Sequence, residues 1–320
     1  MTLILTLMQN SQSEPAKTPE NFRAGFAAII GEPNVGKSTL LNAVLGEKLS
    51  IVTRKPQTTR KKILGIYSSE DCQVVFIDTP GIMQPKYKLH SAMLSAAESA
   101  RHDADVVLFI IDAAHYVAKN RMLKDDLAFQ RILNSTQPII LVVNKIDLLH
   151  KDDLVVLLDR LSKEYDFKEI VPLSALNALN VNELIRAIRP YLPNTEPLYP
   201  TDILSTAPER FFVSELIREK IFEQFSEEVP YSTEVEVEEF KEQYEQSGRK
   251  DVVRCAIVVE RESQKAILIG KGGAAIKKLG EAARKEIEAF LQRPIYLELF
   301  VKVRPGWREK DSQLRQFGYT

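Results

Sequence analysis

The chain has 320 residues, 44% hydrophobic and 27% charged, with 43 Lys and Arg against 44 Asp and Glu and a net charge of −1. That length suits two domains with separate cores, and that balance excludes a surface that is basic throughout, so any face that attracts nucleic acid must be local. No run approaches the ~18 apolar residues of a membrane span; Cys72 and Cys255 lie outside any metal spacing and read as buried residues of a reducing compartment.

The first eight residues are apolar but lack the flanking basic and small residues of a signal peptide, so 1–21 reads as a flexible extension and the chain as cytoplasmic. Residues 26–30 predict a short buried strand, and 39–45 a helix that ends at Gly46. Between them, GEPNVGKS at 31–38 fits the phosphate-binding pattern G-x-x-x-x-G-K-[ST]. Its glycines turn the backbone so that successive N–H groups face the α- and β-phosphates at a helix N-terminus. Gly31, Asn34, Val35, Gly36, Lys37, Ser38 and Thr39 are the phosphate-binding candidates. Lys37 is placed to reach the β- and γ-phosphates, and the Ser38 hydroxyl to ligate Mg²⁺.

Residues 53–60, with adjacent Thr58 and Thr59, carry little strand or helix signal. Strands are expected at 63–67 and 73–77. Asp78-Thr79-Pro80-Gly81 follows the second, so Asp78 can hold Mg²⁺ through water and the Gly81 N–H can approach a γ-phosphate. Helices near 91–100 and 119–133, strands at 105–112 and 138–143, a helix at 152–164, a strand at 169–173 and a helix at 181–191 complete the alternation. The pattern predicts an α/β P-loop NTPase domain, a mostly parallel sheet with helices on both faces and the site at the strands' carboxyl ends.

Asn144-Lys145-Ile146-Asp147 and Ser174-Ala175-Leu176 decide the base. The Asp147 carboxylate can accept from guanine's N1–H and 2-amino group, which adenine cannot match. Asn144 can hold the base edge and the loop, and the Lys145 stem can cover the ring. The Ala175 N–H is expected to donate to guanine O6. Four motifs at four strand ends, in this order, point to GTP.

These segments resemble those of the TRAFAC-class GTPases over roughly 23–192. The resemblance implies a switch loop at 53–60 whose threonine ligates Mg²⁺ and senses the γ-phosphate, Thr59 being preferred over Thr58. Lys37, Thr59 and Gly81 are then the catalytic candidates, and Ser38, Thr59 and Asp78 the metal set. Ile82 stands where Ras-like enzymes carry a water-orienting glutamine, and no arginine is assignable as a finger, so slow intrinsic hydrolysis is expected.

Three prolines in 192–200 mark a linker, taken as 193–206. Beyond it the sequence predicts an amphipathic helix at 209–225, a strand at 233–240, a turn at Ser247-Gly248, a strand at 251–259, a helix ending near 269, another from Ala274 and a strand at 294–302. That α+β order over 207–305, with Gly270-Lys271-Gly272-Gly273 between the last two helices, resembles the type II KH domain. The loop lets an RNA backbone come close. Ile269, Gly270, Lys271, Gly272, Gly273, Ile276, Lys277 and Lys278 are the RNA-binding candidates, with Ile267, Arg284 and Lys285 beside them. Residues 306–320 form a tail.

A GTPase domain followed by a KH domain resembles the bacterial Era-like GTPases over all but the first twenty-odd residues. The resemblance implies a monomer that binds GTP and GDP and acts in 30S ribosomal subunit biogenesis at the 3′ region of 16S rRNA, with GTP state gating RNA binding. It also implies peripheral association with the inner membrane. The alternative from the residues is a signalling or membrane-associated GTPase whose second domain binds protein.

Overall fold

The computed structural model describes residues 21–53 and 55–319, so the extension expected at 1–21 lies, but for its last residue, outside the described residues. The described chain divides into two compact units. One holds residues 21–86 and 90–206, the other 87–89 and 207–319.

In the first unit the apolar runs form β1 (Arg23–Ile30), β2 (Ile63–Ser68), β3 (Cys72–Asp78), β4 (Val106–Asp112), β5 (Ile139–Asn144) and β6 (Glu169–Pro172). Their order in the sheet is β2-β3-β1-β4-β5-β6. Only β2 runs antiparallel to its neighbour. The helices are α1 (Lys37–Leu45), α2 (Lys88–Asp103, whose first two residues are counted with the other unit), α3 (Ala113–Ala118), α4 (Leu127–Ile132), α5 (Lys151–Glu164) and α6 (Val181–Ile188). Helices α1 and α6 close one sheet face through Leu40, Leu41, Leu184 and Ile188 against Ile29, Phe76, Leu108 and Ile110. Ala97, Phe129, Leu157 and Leu161 cover the other, against Ile30, Phe109 and Leu141. Cover on both faces is why the central strands are continuous apolar runs rather than alternating ones.

Instead of one helix at 119–133 there is α3 before that range and the short α4 within it. Asp112 accepts from the His115 N–H and starts α3 early, while Asp126 accepts from the Ala128 and Phe129 N–H groups and starts α4 afresh. Side-chain caps set these boundaries more strongly than the apolar spacing. The segment 193–206, expected as a linker, is hydrogen-bonded along this unit. Ala24 N–H donates to Pro193 O and Ile66 N–H to Leu204 O. The buried Gln73 side chain accepts from the Leu198 and Tyr199 N–H groups and donates to Tyr199 O, and Ser205 Oγ donates to Leu64 O.

The second unit contains α7 (Glu209–Gln224), β7 (Glu234–Lys241), a one-turn α8 (Tyr244–Ser247), β8 (Asp251–Val259), α9 (Glu262–Ile269), α10 (Ala274–Leu291) and β9 (Ile295–Val303). The sheet order is β7-β8-β9, with β8 antiparallel to β7 and parallel to β9. Ile217 and Ile221 of α7 and Ala283 and Ile287 of α10 pack on Val253, Cys255 and Ile257 of β8. The Cys255 thiol is pushed up to about 12 by burial. Helix α7 is not the half-exposed helix expected, because residues 212–222 are all buried. Its buried Arg218 is paired with Glu215 one turn back. Residues 306–319, expected as a tail, pack on this unit as α11 (Asp311–Gln316) and the turn before it. Trp307 is fully buried and donates to Ser232 O at 2.9 Å, and the Tyr319 hydroxyl donates to Glu234 at 2.6 Å.

Arg293, in the turn before β9, joins the start of β8 to the start of α7. Its guanidinium meets Asp251 and both oxygens of Glu209, and Asp251 also accepts from the Gln243 and Tyr244 N–H groups. Arg293→Met removes the guanidinium these carboxylates share and is expected to destabilise the second unit by about 3–5 kcal/mol. Trp307 is the chain's single tryptophan, so its fluorescence during urea unfolding reports this unit alone. Arg254→Met, which breaks only exposed cross-strand pairs to Glu239 and Glu298, is expected to leave that midpoint nearly unchanged.

Candidate functional site

The phosphate loop leaves β1 at Ile30 and enters α1 at Lys37. Gly36, at φ 102°, sits where a Cβ would come within 2.2 Å of Asn144 Nδ2, so neither the backbone conformation nor the space admits a side chain. The Lys37 ammonium is 6% exposed and donates to Gly31 O at 3.2 Å and Glu32 O at 2.8 Å. Burial lowers its pKa to about 8, against the carboxylates of Asp78, Glu32 and Asp126, which favour its charge. The cation is thus folded back on its own loop, on contacts that an incoming phosphate can replace.

Three elements bring Ser38, Thr59 and Asp78 together. Ser38 Oγ donates to Asp78 Oδ2 at 2.7 Å and lies 2.7 Å from the Thr59 hydroxyl. Ser50 Oγ donates to the same Asp78 oxygen at 3.0 Å. Asn42 holds Ser50 in turn, accepting from its N–H and donating to its carbonyl. Asp78 Oδ1 is buried and carries no hydrogen bond among the described residues. Burial raises the Asp78 pKa, opposed by its hydroxyl donors and Lys37. Two hydroxyls, a carboxylate and an unused carboxylate oxygen beside a phosphate cradle suit a hard oxygen-seeking cation such as Mg²⁺. No three His, Cys, Asp or Glu side chains converge to hold a metal among the described residues. Of the two threonines, Thr59 is buried in this cluster and Thr58 is half-buried outside it.

Gly81 lies against the loop: a Cβ there would sit 2.7 Å from Pro33 N, so only glycine allows the approach. The next residue, Ile82, turns its side chain into the core and donates its N–H to Gly31 O at 3.0 Å. It has nothing to offer a water.

The base-recognition residues stand differently from the sequence expectation. Asn144 spends both ends of its amide inside the protein, donating to Val35 O at 2.8 Å and accepting from the Ala175 N–H at 2.9 Å. The Ala175 N–H therefore faces Asn144, not the open position expected for guanine O6. The Leu176 N–H beside it has no protein partner among the described residues. Lys145 Nζ is tied to Asn34 O at 2.7 Å and to Asp112 at 2.6 Å, which lays its stem along the loop. Asp147 is exposed, with no hydrogen bond or ion pair among the described residues, and Leu176 is 78% exposed. Ser174 is buried, its hydroxyl accepting from the Asn177 N–H.

The sequence reading missed Ser50, Asp112 and the pair Glu32–Arg121, in which both guanidinium nitrogens meet the carboxylate at 2.6 Å. Ser50 had a faint signal in its closeness to the loop. Asp112 had one as a strand-end carboxylate, and Arg121 had none.

In the second unit, α9 and α10 meet at Gly270-Lys271-Gly272-Gly273, whose three glycines all have positive φ. Lys271, Lys277, Lys278, Arg284 and Lys285 are exposed. Ile267 is 50% exposed, while Ile269 and Ile276 are half-buried against the core beneath. The arrangement presents cations and a low apolar surface beside a loop whose only side chain is that of Lys271.

The family described as 50S ribosome-binding GTPase matches residues 26–145, and the KH domain family matches 228–308. The chain is 46% identical over 302 residues to GTPase Era of Geotalea uraniireducens (strain Rf4), covering 94% of this chain and 99% of that protein. It is 46% identical over 299 residues to GTPase Era of Geobacter metallireducens (strain ATCC 53774 / DSM 7210 / GS-15), covering 93% and 98%. Among solved structures it is similar to a variant of Aquifex aeolicus Era bound to GDP·AlF4−, with TM-score 0.86, 40% identity and coverage of 93% and 100%. A structure of Era with MgGDPNP and nucleotides 1506–1542 of 16S ribosomal RNA gives the same TM-score and identity, covering 93% and 99%.

Asn144→Ala removes two hydrogen bonds, each worth about 1 kcal/mol, that join the phosphate loop to the 174–176 loop. Binding of a fluorescent GDP is expected to weaken by about ten- to thirtyfold. Thr59→Ala is expected to slow single-turnover GTP hydrolysis by about tenfold or more with GDP affinity retained, and Thr58→Ala to leave the rate within about twofold.

Proposed function

This chain belongs to the Era family of GTPases, and on that premise we propose that it is a Mg²⁺-dependent GTP-hydrolysing switch that binds 16S rRNA near its 3′ end through its KH domain. It acts in 30S ribosomal subunit biogenesis, with GTP state gating the RNA site. The observation that carries the enzymatic half is the Ser38–Thr59–Asp78 cluster beside Lys37. It joins the phosphate loop, the segment before β2 and the end of β3 in one place. The RNA half rests on the glycine loop between α9 and α10 with its lysines, and on the Era relative solved with 16S rRNA nucleotides.

On binding, Lys37 exchanges the carbonyls of Gly31 and Glu32 for phosphate oxygens, so the contact regains a charge-assisted partner without exposing the ammonium. Ser38 and Thr59 would hold Mg²⁺ directly and Asp78 through water. Mg²⁺ there supplies charge neutralisation between the β- and γ-phosphates. Thr59, whose hydroxyl lies against Ser38, senses the third phosphate, and Gly81 can offer its N–H to it. Asp147 reads guanine, and Asn144 holds the two loops that frame it. With Ile82 buried, the attacking water is oriented by a group other than the side chain at 82, and turnover is slow in isolation.

No described helix is long and apolar enough to cross a membrane. We place the protein in the cytoplasm as a monomer, with peripheral contact at the inner membrane as a secondary location.

The test is binding of a short single-stranded RNA from the 3′ end of 16S rRNA with a non-hydrolysable GTP analogue and then GDP. Gly272→Asp, which sets a like charge against RNA phosphates at a position with open space around it, is the control. Tighter binding with the analogue, lost in the variant, is the expected result. Equal binding in both states rejects the gating, and no binding in either turns the reading towards a protein-binding second domain.

A further inference from the structure

The phosphate loop carries a carboxylate of its own. Glu32 is the second residue of GEPNVGKS, and its backbone carbonyl accepts from the Lys37 ammonium at 2.8 Å. An acidic side chain so close to bound phosphates is a repulsion that the fold must remove. It does so with Arg121, 89 residues later, in the loop between α3 and α4. Arg121 Nη1 and Nη2 meet the two Glu32 oxygens at 2.6 Å each, in the parallel two-bond geometry that a guanidinium suits and an ammonium does not.

The clamp is built on both sides. Arg121 Nη2 also donates to Asp125 O at 2.9 Å, its guanidinium lies 5.5 Å from the Tyr116 ring centre, and Asp126 stands 3.7 Å from Nη1. Asp126 is itself held by the Tyr116 hydroxyl at 2.8 Å and by the N-terminus of α4. The Leu127 N–H adds a weaker contact to Glu32 at 3.3 Å. Against the desolvation that burial imposes, these donors hold the Glu32 carboxyl below its ordinary range, so it is ionised and matched by a cation.

We propose that Arg121 is a positioning residue for the GTPase reaction: it draws the Glu32 carboxylate away from the phosphate cradle and fixes the loop backbone that receives Lys37. The inference rests on the reading of 31–38 as the triphosphate cradle. If that reading is wrong, the unaltered protein will bind neither nucleotide used below.

The test is a double-variant cycle in the full chain: Arg121→Ala, Glu32→Gln and both together. Affinities for GDP and a non-hydrolysable GTP analogue are measured from about 0.05 to 0.5 M salt. Truncating one partner of a hydrogen-bonded charge pair exposes the other. Arg121→Ala is therefore expected to weaken GDP by about tenfold or more, and the GTP analogue by a larger factor because it carries more charge. The deficit should shrink at high salt. Glu32→Gln should cost less, and the double variant should recover to about the Glu32→Gln level. Arg121→Lys, which keeps the charge but not the two-bond fork, should fall between. Loss without rescue in the double variant, equal loss for both nucleotides at every salt concentration, or no loss in Arg121→Ala overturns the proposal. A thermal unfolding midpoint for each variant separates a misfolded loop from a repelled ligand, since only the latter recovers with Glu32→Gln at an unchanged midpoint.

Discussion

A buried ammonium next to a buried carboxylate is the constraint to which the first unit answers. Lys37 and Asp78 come to the carboxyl ends of β1 and β3 because those strands are parallel neighbours, and in that register both side chains are taken out of water. Neither ion is stable there alone: burial lowers the first group's pKa and raises the second's. The protein offsets this with hydroxyls and carbonyls rather than with a direct ion pair. Lys37 rests on two backbone oxygens, and Asp78 on Ser38 and Ser50. That leaves the charges satisfied but not committed. A site held together by neutral donors can exchange them for phosphate oxygens and a cation at small cost, whereas a closed Lys–Asp pair would first have to be broken.

Around this pair the loops are wired to one another rather than independently to the ligand. Asn144 joins Val35 of the phosphate loop to Ala175 of the 174–176 loop, and Lys145 joins Asn34 to Asp112. The base-reading and phosphate-reading parts therefore share a common frame. Of the two roles expected for Asn144, on the base edge and on the loop, these contacts are the second. The exposed Asp147 and the Leu176 N–H are left without a protein hydrogen bond among the described residues.

What the sequence made legible follows from how local each signal is. The loop at 31–38, Asp78 at a strand end and the tetrapeptide at 144–147 are short patterns whose spacing is dictated by chemistry, and the strands between them are apolar runs that a doubly covered sheet requires. The KH-type order was readable for the same reason, from periodicity and the glycine loop. The Glu32–Arg121 clamp was not, because it joins residues 89 apart and neither lies in a repeating pattern. Helix boundaries at 113–132 were misjudged because Asp112 and Asp126 could be read as caps only once their partners were known. The depth to which α7 is buried was hidden by Glu215 and Arg218, charges that look solvent-facing until they are seen to pair. The segment 193–206 was legible as a break in periodicity, but not as a stretch hydrogen-bonded to the first unit. Its partners, Gln73 and the backbone of β2, carry no mark of that role.

That last arrangement bears on how the chain is made. The antiparallel β2 is an outer strand of the first unit, and one of its N–H groups, that of Ile66, and one of its C=O groups, that of Leu64, are met by Leu204 and Ser205, more than a hundred positions downstream. An emerging polypeptide that has cleared residue 192 therefore already contains every motif for nucleotide binding, yet exposes an unpaired strand edge of the kind that recruits other strands. Domains fold as units during synthesis, and here the unit is complete only when the proline-rich stretch has followed. For the nascent chain, the point of safety lies at about residue 206, just where the second domain begins.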